Sequence, residues 1–112
     1  LGGNSAHYDG GGASGGTLNN CTLTGNSAQR GGGATESTLN NCTLTGNSAW
    51  EGGGIYRGTL NNCIVYYNSA AVGGANYSGG KFNYCCTTPL PAPPGPVPTT
   101  AINRRAQAGM TR

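Results

Sequence analysis

The sequence predicts an all-β fold: a right-handed parallel β-helix of about four coils over residues 1–87, built on a 21-residue repeat and followed by a proline-rich extended tail over 88–112. Three observations carry this. The block TLNNCTLTGNSA occurs unchanged at 17–28 and 38–49, recurs as TLNNCIVYYNSA at 59–70, and degenerates to KFNYCC at 81–86. Glycine triplets at 10–12, 31–33 and 52–54 keep the same step, and Gly73-Gly74-Ala75 is expected to follow at that interval. Glycine supplies 22 of the 112 residues, against six basic and three acidic ones. Such a chain has too much glycine for helices and too few apolar side chains for a thick two-layer core. A period of 21 residues also falls short of helical repeats of about 33 or more, and it lacks leucine-rich-repeat spacing.

Within each coil, Thr-Leu, then Cys-Thr-Leu-Thr, then a segment after the glycines read as three short strands bounded by Asn, Gly and Ser, which makes a triangular coil with three bends. Stacking at about 4.8 Å per coil places like residues over like. Leu18, Leu39, Leu60 and Phe82 then form one inward stack. Leu23, Leu44 and Val65 form another, with Leu1 in the equivalent place, and Ala6, Ala28, Ala49 and Ala70 form a small-residue stack. Asn26, Asn47 and Asn68, together with Asn4, are expected at a bend, where asparagine tolerates the left-handed region and its amide bonds the next coil. A second asparagine ladder is expected at Asn19, Asn40, Asn61 and Asn83. Cys21, Cys42 and Cys63 share one repeat position, and Cys85 follows after a one-residue insertion. Parallel Cβ vectors strain a bridge between adjacent coils, so the reading is a buried ladder of free thiols, with Cys85-Cys86 the place for an unusual bond.

The inventory argues against a reaction centre. Glu36 and Glu51 fall at different positions of their coils and Asp9 precedes a glycine run, so no carboxylate stack is expected for a calcium cluster or an acid–base pair. His7 has no second histidine with which to share a metal, and the cysteines lack a Cys-x-x-Cys spacing. No catalytic, cofactor or metal set is expected. The net charge of +3, with Arg104, Arg105 and Arg112 near the end, is no nucleic-acid stripe, and no apolar run reaches the roughly 18 residues of a membrane helix.

Variation within an otherwise constant repeat marks solvent-facing positions. On that basis Trp50, Tyr56, Arg57 and Tyr77 are candidates for a flat surface that meets polysaccharide or another chain, and Asn76, in Asn-Tyr-Ser, is the preferred glycosylation acceptor.

The succession of GNSA, Gly52-Gly53-Gly54-Ile55-Tyr56 and an Asn-Cys strand resembles the right-handed parallel β-helix repeats of bacterial surface proteins, and is similar to polymorphic outer membrane protein repeats. The glycine element carries most of the likeness, Leu18-x-Asn20 and its copies match the second element loosely, and the resemblance covers about residues 1–86. It implies a secreted or cell-surface location and a structural or adhesive role.

Leu1 and Thr87 fall in the same phase of the repeat, which makes them the expected subunit junction of a head-to-tail homo-oligomeric fibre. The alternative is a fragment of a larger β-helix that binds or cleaves polysaccharide.

Overall fold

The structure is a computed structural model and describes residues 1–87; the expected tail, 88–112, lies outside the described residues. Thirteen strands succeed one another among the described residues: β1 (Ala13–Ser14), β2 (Thr17–Asn19), β3 (Thr22–Thr24), β4 (Ser27–Arg30), β5 (Ala34–Asn40), β6 (Thr43–Thr45), β7 (Ser48–Glu51), β8 (Ile55–Asn61), β9 (Ile64–Tyr66), β10 (Ser69–Ala70), β11 (Tyr77–Ser78), β12 (Lys81–Asn83) and β13 (Cys86–Thr87). All ladders are parallel and join one coil to the next, in three sheets: β3-β6-β9-β13, β4-β7-β10, and a third in which β5 and β8 are each flanked by the paired short strands β1, β2 and β11, β12. This is the predicted all-β solenoid of about four coils.

The inward columns stand where the repeat places them. Leu18, Leu39, Leu60 and Phe82 are in register, as are Leu23, Leu44, Val65 and Thr87. Leu23, Leu39, Leu44, Ile55, Leu60 and Val65 have no exposed surface. Burying such a side chain contributes about 1.5–3 kcal/mol, and the thin apolar column supplies the core that the composition denies to a two-layer domain.

One further inward column varies in residue type from coil to coil, a variation that the repeat alone would assign to solvent. Ala34 and Ile55 are wholly buried, and the half-buried Ala13 and Tyr77 pack against the same core. Between the second and third coils the column grows from Ala34 to Ile55 as its neighbour three residues on shrinks. Ser37, next to Ala34, is buried, whereas its partner in register is Gly58, where a Cβ would come within 2.6 Å of Ser37 O and 3.0 Å of Ile55 Cδ1.

Each coil turns at four left-handed corners rather than three. In the second coil they are Glu36 (φ 49°), Asn41 (54°), Gly46 (69°) and Gly52 (66°), and in the third Arg57 (54°), Asn62 (56°), Tyr67 (58°) and Gly73 (70°). The additional corner lies inside β5 and β8 and folds that sheet into a concave face. The left-handed asparagines are therefore Asn20, Asn41 and Asn62, not Asn26, Asn47 and Asn68 as expected. The latter three point inward, and their backbone N–H groups donate to side-chain oxygens of the following rung.

Two one-residue insertions shift the register. Gly2 pairs with Thr24 and Ser5 with Ser27, but Asp9 pairs with Arg30, so His7-Tyr8 span what Gln29 spans alone. Both Gln29 N and Arg30 N donate to Tyr8 O at 2.8 Å. In the fourth coil, Gly53 N donates to Gly74 O, Gly54 N to Ala75 O and Ile55 N to Asn76 O. Gly74-Ala75-Asn76, rather than Gly73-Gly74-Ala75, thus lie over the glycine triplet.

Candidate functional site

The interior is polar along one line. Asn4 N and Nδ2 donate to Asn26 Oδ1 at 3.0 Å, Asn26 N and Nδ2 to Asn47 Oδ1 at 3.0 Å, and Asn47 N and Nδ2 to Asn68 Oδ1 at 2.9 and 3.0 Å. Each amide also donates to a main-chain carbonyl of the leucine column: Asn26 to Leu1, Asn47 to Leu23 and Asn68 to Leu44. Buried amides are tolerated because their hydrogen bonds are met. An outer ladder runs the opposite way, with Nδ2 of Asn40, Asn61 and Asn83 donating back to Asn19, Asn40 and Asn61 at 2.8–2.9 Å.

Asn76 ends the inner ladder. Its Oδ1 accepts from Asn68 N at 3.2 Å and Asn68 Nδ2 at 3.1 Å, as each Oδ1 does in the coils before it. The residue is only 7% exposed, which corrects its reading as a glycan acceptor: its amide fills the slot of a further rung. This is possible only in the last coil. At Gly54, in the same column, a Cβ would lie 2.7 Å from Val65 Cγ1 and 2.9 Å from Asn68 Nδ2, where the next rung already stands.

The cysteine column is formed. All five cysteines are free; Cys42, Cys63 and Cys85 are buried, while Cys21 in the first coil is only half-buried, a correction to a fully buried stack. Sγ of Cys42, Cys63 and Cys85 donates to Leu18 O, Leu39 O and Leu60 O at 3.4–3.5 Å. Burial pushes the Cys42 thiol up, and for Cys63 the hydrogen bond with Cys85 and burial push in the same direction. These thiols are packed apolar groups rather than nucleophiles.

The four-membered recognition surface is not assembled. Trp50 is 57% exposed on β7, whereas Tyr56 and Arg57 lie on β8 in a different sheet. Tyr77 is half-buried, its ring 4.8 Å from that of Phe82. Of the two expected junction residues, Leu1 is 55% exposed and Thr87 is fully buried.

What the fold does bring together is a charged strip. Arg30 lies in register between Asp9 and Glu51, and its Nε and Nη2 form a bidentate pair with Asp9 at 2.8 and 2.9 Å. Glu51 Oε2 instead accepts from Ser78 Oγ at 2.8 Å. The guanidinium carbons of Arg30 and Arg57 each lie 5.1 Å from the Tyr56 ring centroid. Beside them the extra corner opens a groove of about 490 Å³ that runs across three coils, lined by Glu36, Ser37, Thr38, Arg57, Gly58, Thr59, Gly79, Gly80 and Lys81. Sequence reading missed Asp9–Arg30 because the insertion at His7-Tyr8 offsets the count, although the extra residue between GNSA and the glycines was visible. It missed the groove because the left-handed corner has no fixed residue type: Gly15, Glu36, Arg57 and Gly79 all occupy it. Among the described residues no group of His, Cys, Asp and Glu is arranged to hold a metal, and no helix is long and apolar enough to cross a membrane.

No family model matches the chain, and neither the curated proteins nor the solved structures provide a match.

Proposed function

We propose that this chain is a structural or adhesive β-solenoid of the secreted or cell-surface class, a stiff stack that presents varied side chains on constant coils. One observation supports this most. The leucine, cysteine and asparagine columns that hold the coils together repeat and point inward, whereas Gln29/Trp50 and Glu36/Arg57 change from coil to coil at solvent-facing positions. Side chains displayed along an axis suit contact with an extended partner, while a reaction centre needs groups that converge on one point. Burial of the thiols also suits an oxidising location, because oxidation proceeds through exposed thiolates. Head-to-tail self-association belongs to the same reading, and at the fourth coil it requires Asn76 to leave its rung.

Beads coated with the full chain test the adhesive role. They should adhere to surfaces bearing polysaccharide and leave its chain length unchanged. Failure to adhere would overturn the proposal, and shortened polymer would favour a polysaccharide-cleaving β-helix instead.

A further inference from the structure

We infer that the groove at the fourth corner of the coil is a binding site for an acidic saccharide, a hydroxylated sugar whose carboxylate or sulfate sits between Arg57 and Lys81. The inference rests on the adhesive reading and gives it a ligand class. The groove follows from the backbone. The corner at Glu36 and Arg57 breaks β5 and β8, and in the fourth coil Gly79 takes the same corner with Gly80 beside it, so the floor there carries no side chains. A Cβ at Gly79 would meet nothing nearer than Arg57 Cγ at 3.4 Å, which leaves room above the glycines for a ligand group. Its volume of about 490 Å³ falls within the range of small-ligand sites, about 300–1,000 Å³.

Charge selects the ligand. Three ionised groups line the groove, Glu36, Arg57 and Lys81, and among the described residues none of them forms an ion pair; the pair on this side of the molecule is Arg30 with Asp9. Arg57 is held over Tyr56, which fixes the plane of its guanidinium while leaving its N–H edge unoccupied by an anion. Two cations stand in adjacent coils, and a carboxylate stands one coil before Arg57. A polyanion with a charge on every unit would meet Glu36 as a repulsion. A saccharide with one acidic group beside a neutral, hydroxylated neighbour meets Arg57 and Lys81 with the former, and Glu36, Thr38 and Thr59 with the hydroxyls of the latter.

The test uses the full isotope-labelled chain titrated with an oligosaccharide that alternates a uronic acid with a neutral sugar, one that alternates a sulfated with a neutral sugar, a neutral oligosaccharide and a short DNA duplex. Saturable amide shifts at Arg57, Gly58, Gly79, Gly80 and Lys81 are expected with one or both acidic sugars, and the two arms tell carboxylate from sulfate. Lys81→Gln and Arg57→Gln should each weaken binding about fivefold. Arg57→Gly, which restores the residue of the flanking corners, keeps the measurement interpretable if the glutamine variant folds poorly. Absence of saturable shifts, equal binding of the neutral sugar or DNA, or unchanged affinity in the Arg57→Gly/Lys81→Gln double variant overturns the site. Bead adhesion that persists in that double variant would overturn the groove alone, whereas wild-type beads that never adhere would overturn the scaffold reading.

Discussion

Asn76 stands eight residues after Asn68, yet it accepts from Asn68 N and Nδ2 at 3.2 and 3.1 Å as if it belonged to the following coil. Removing the acceptor leaves a buried N–H and a buried amide without it, at about 1–3 kcal/mol. Asn76→Ala should therefore lower the denaturant midpoint by a corresponding amount, and an unchanged midpoint would show that Asn76 ends nothing.

The same substitution bears on assembly. With the slot emptied by Asn76→Gly, the fourth coil can receive the first-coil asparagine of another molecule, and sedimentation should show more self-association than in the wild-type chain at equal concentration. A variant that sediments as the wild type does would argue against pairing through this edge.

Side-chain volume is exchanged between two columns, with Ala34 beside Ser37 and Ile55 beside Gly58. Gly58→Ser should cost at least about 1–3 kcal/mol, through overpacking against Ile55 and Ser37 O and through the φ of 142° at this position, and Ile55→Ala about 2–5 kcal/mol through the cavity it leaves. Combined, they should cost less than their sum, because the serine occupies space that the isoleucine vacates. Strict additivity in a double-mutant cycle would refute the exchange.

The raised Cys42 thiol sets the behaviour in alkali. With Cys42 held above its ordinary value by burial, the folded chain keeps a proton that the unfolded chain loses near pH 8.5. Stability should be fully present below about pH 8.5 and fall as the pH rises beyond it, and native thiol titration at pH 7 should find Cys42 and Cys63 unreactive. Rapid labelling of both would place the column outward.

Much of this architecture is written in repeated residues. Leu39, Cys42 and Asn47 could be placed because identical residues one period away have no other way to be identical in environment. The parts that escaped are those where the chain departs from its period. One extra residue at His7-Tyr8 hides the pairing of Asp9 with Arg30, and one extra residue before Gly74 hides the fact that Asn76, not Ala75, lies over Gly54. Burial of the variable column Ala34/Ile55 is hidden because variation without a visible compensating change resembles surface freedom, and the compensation sits three residues away at Ser37/Gly58. The groove arises from backbone conformation at Glu36 and Arg57, which neither residue type announces.

The central claim, that coils of this chain are joined by a buried asparagine ladder in a parallel stack, is tested most directly by hydrogen exchange of the side-chain amides of Asn26, Asn47 and Asn68. Each Nδ2 donates to a carboxamide oxygen of the next rung and to a main-chain carbonyl of the previous coil. Protection of all three well beyond that of an unstructured asparagine is expected, with Asn47, flanked by coils on both sides, exchanging most slowly. Exchange of the three at the rate of a free asparagine amide would contradict the stack.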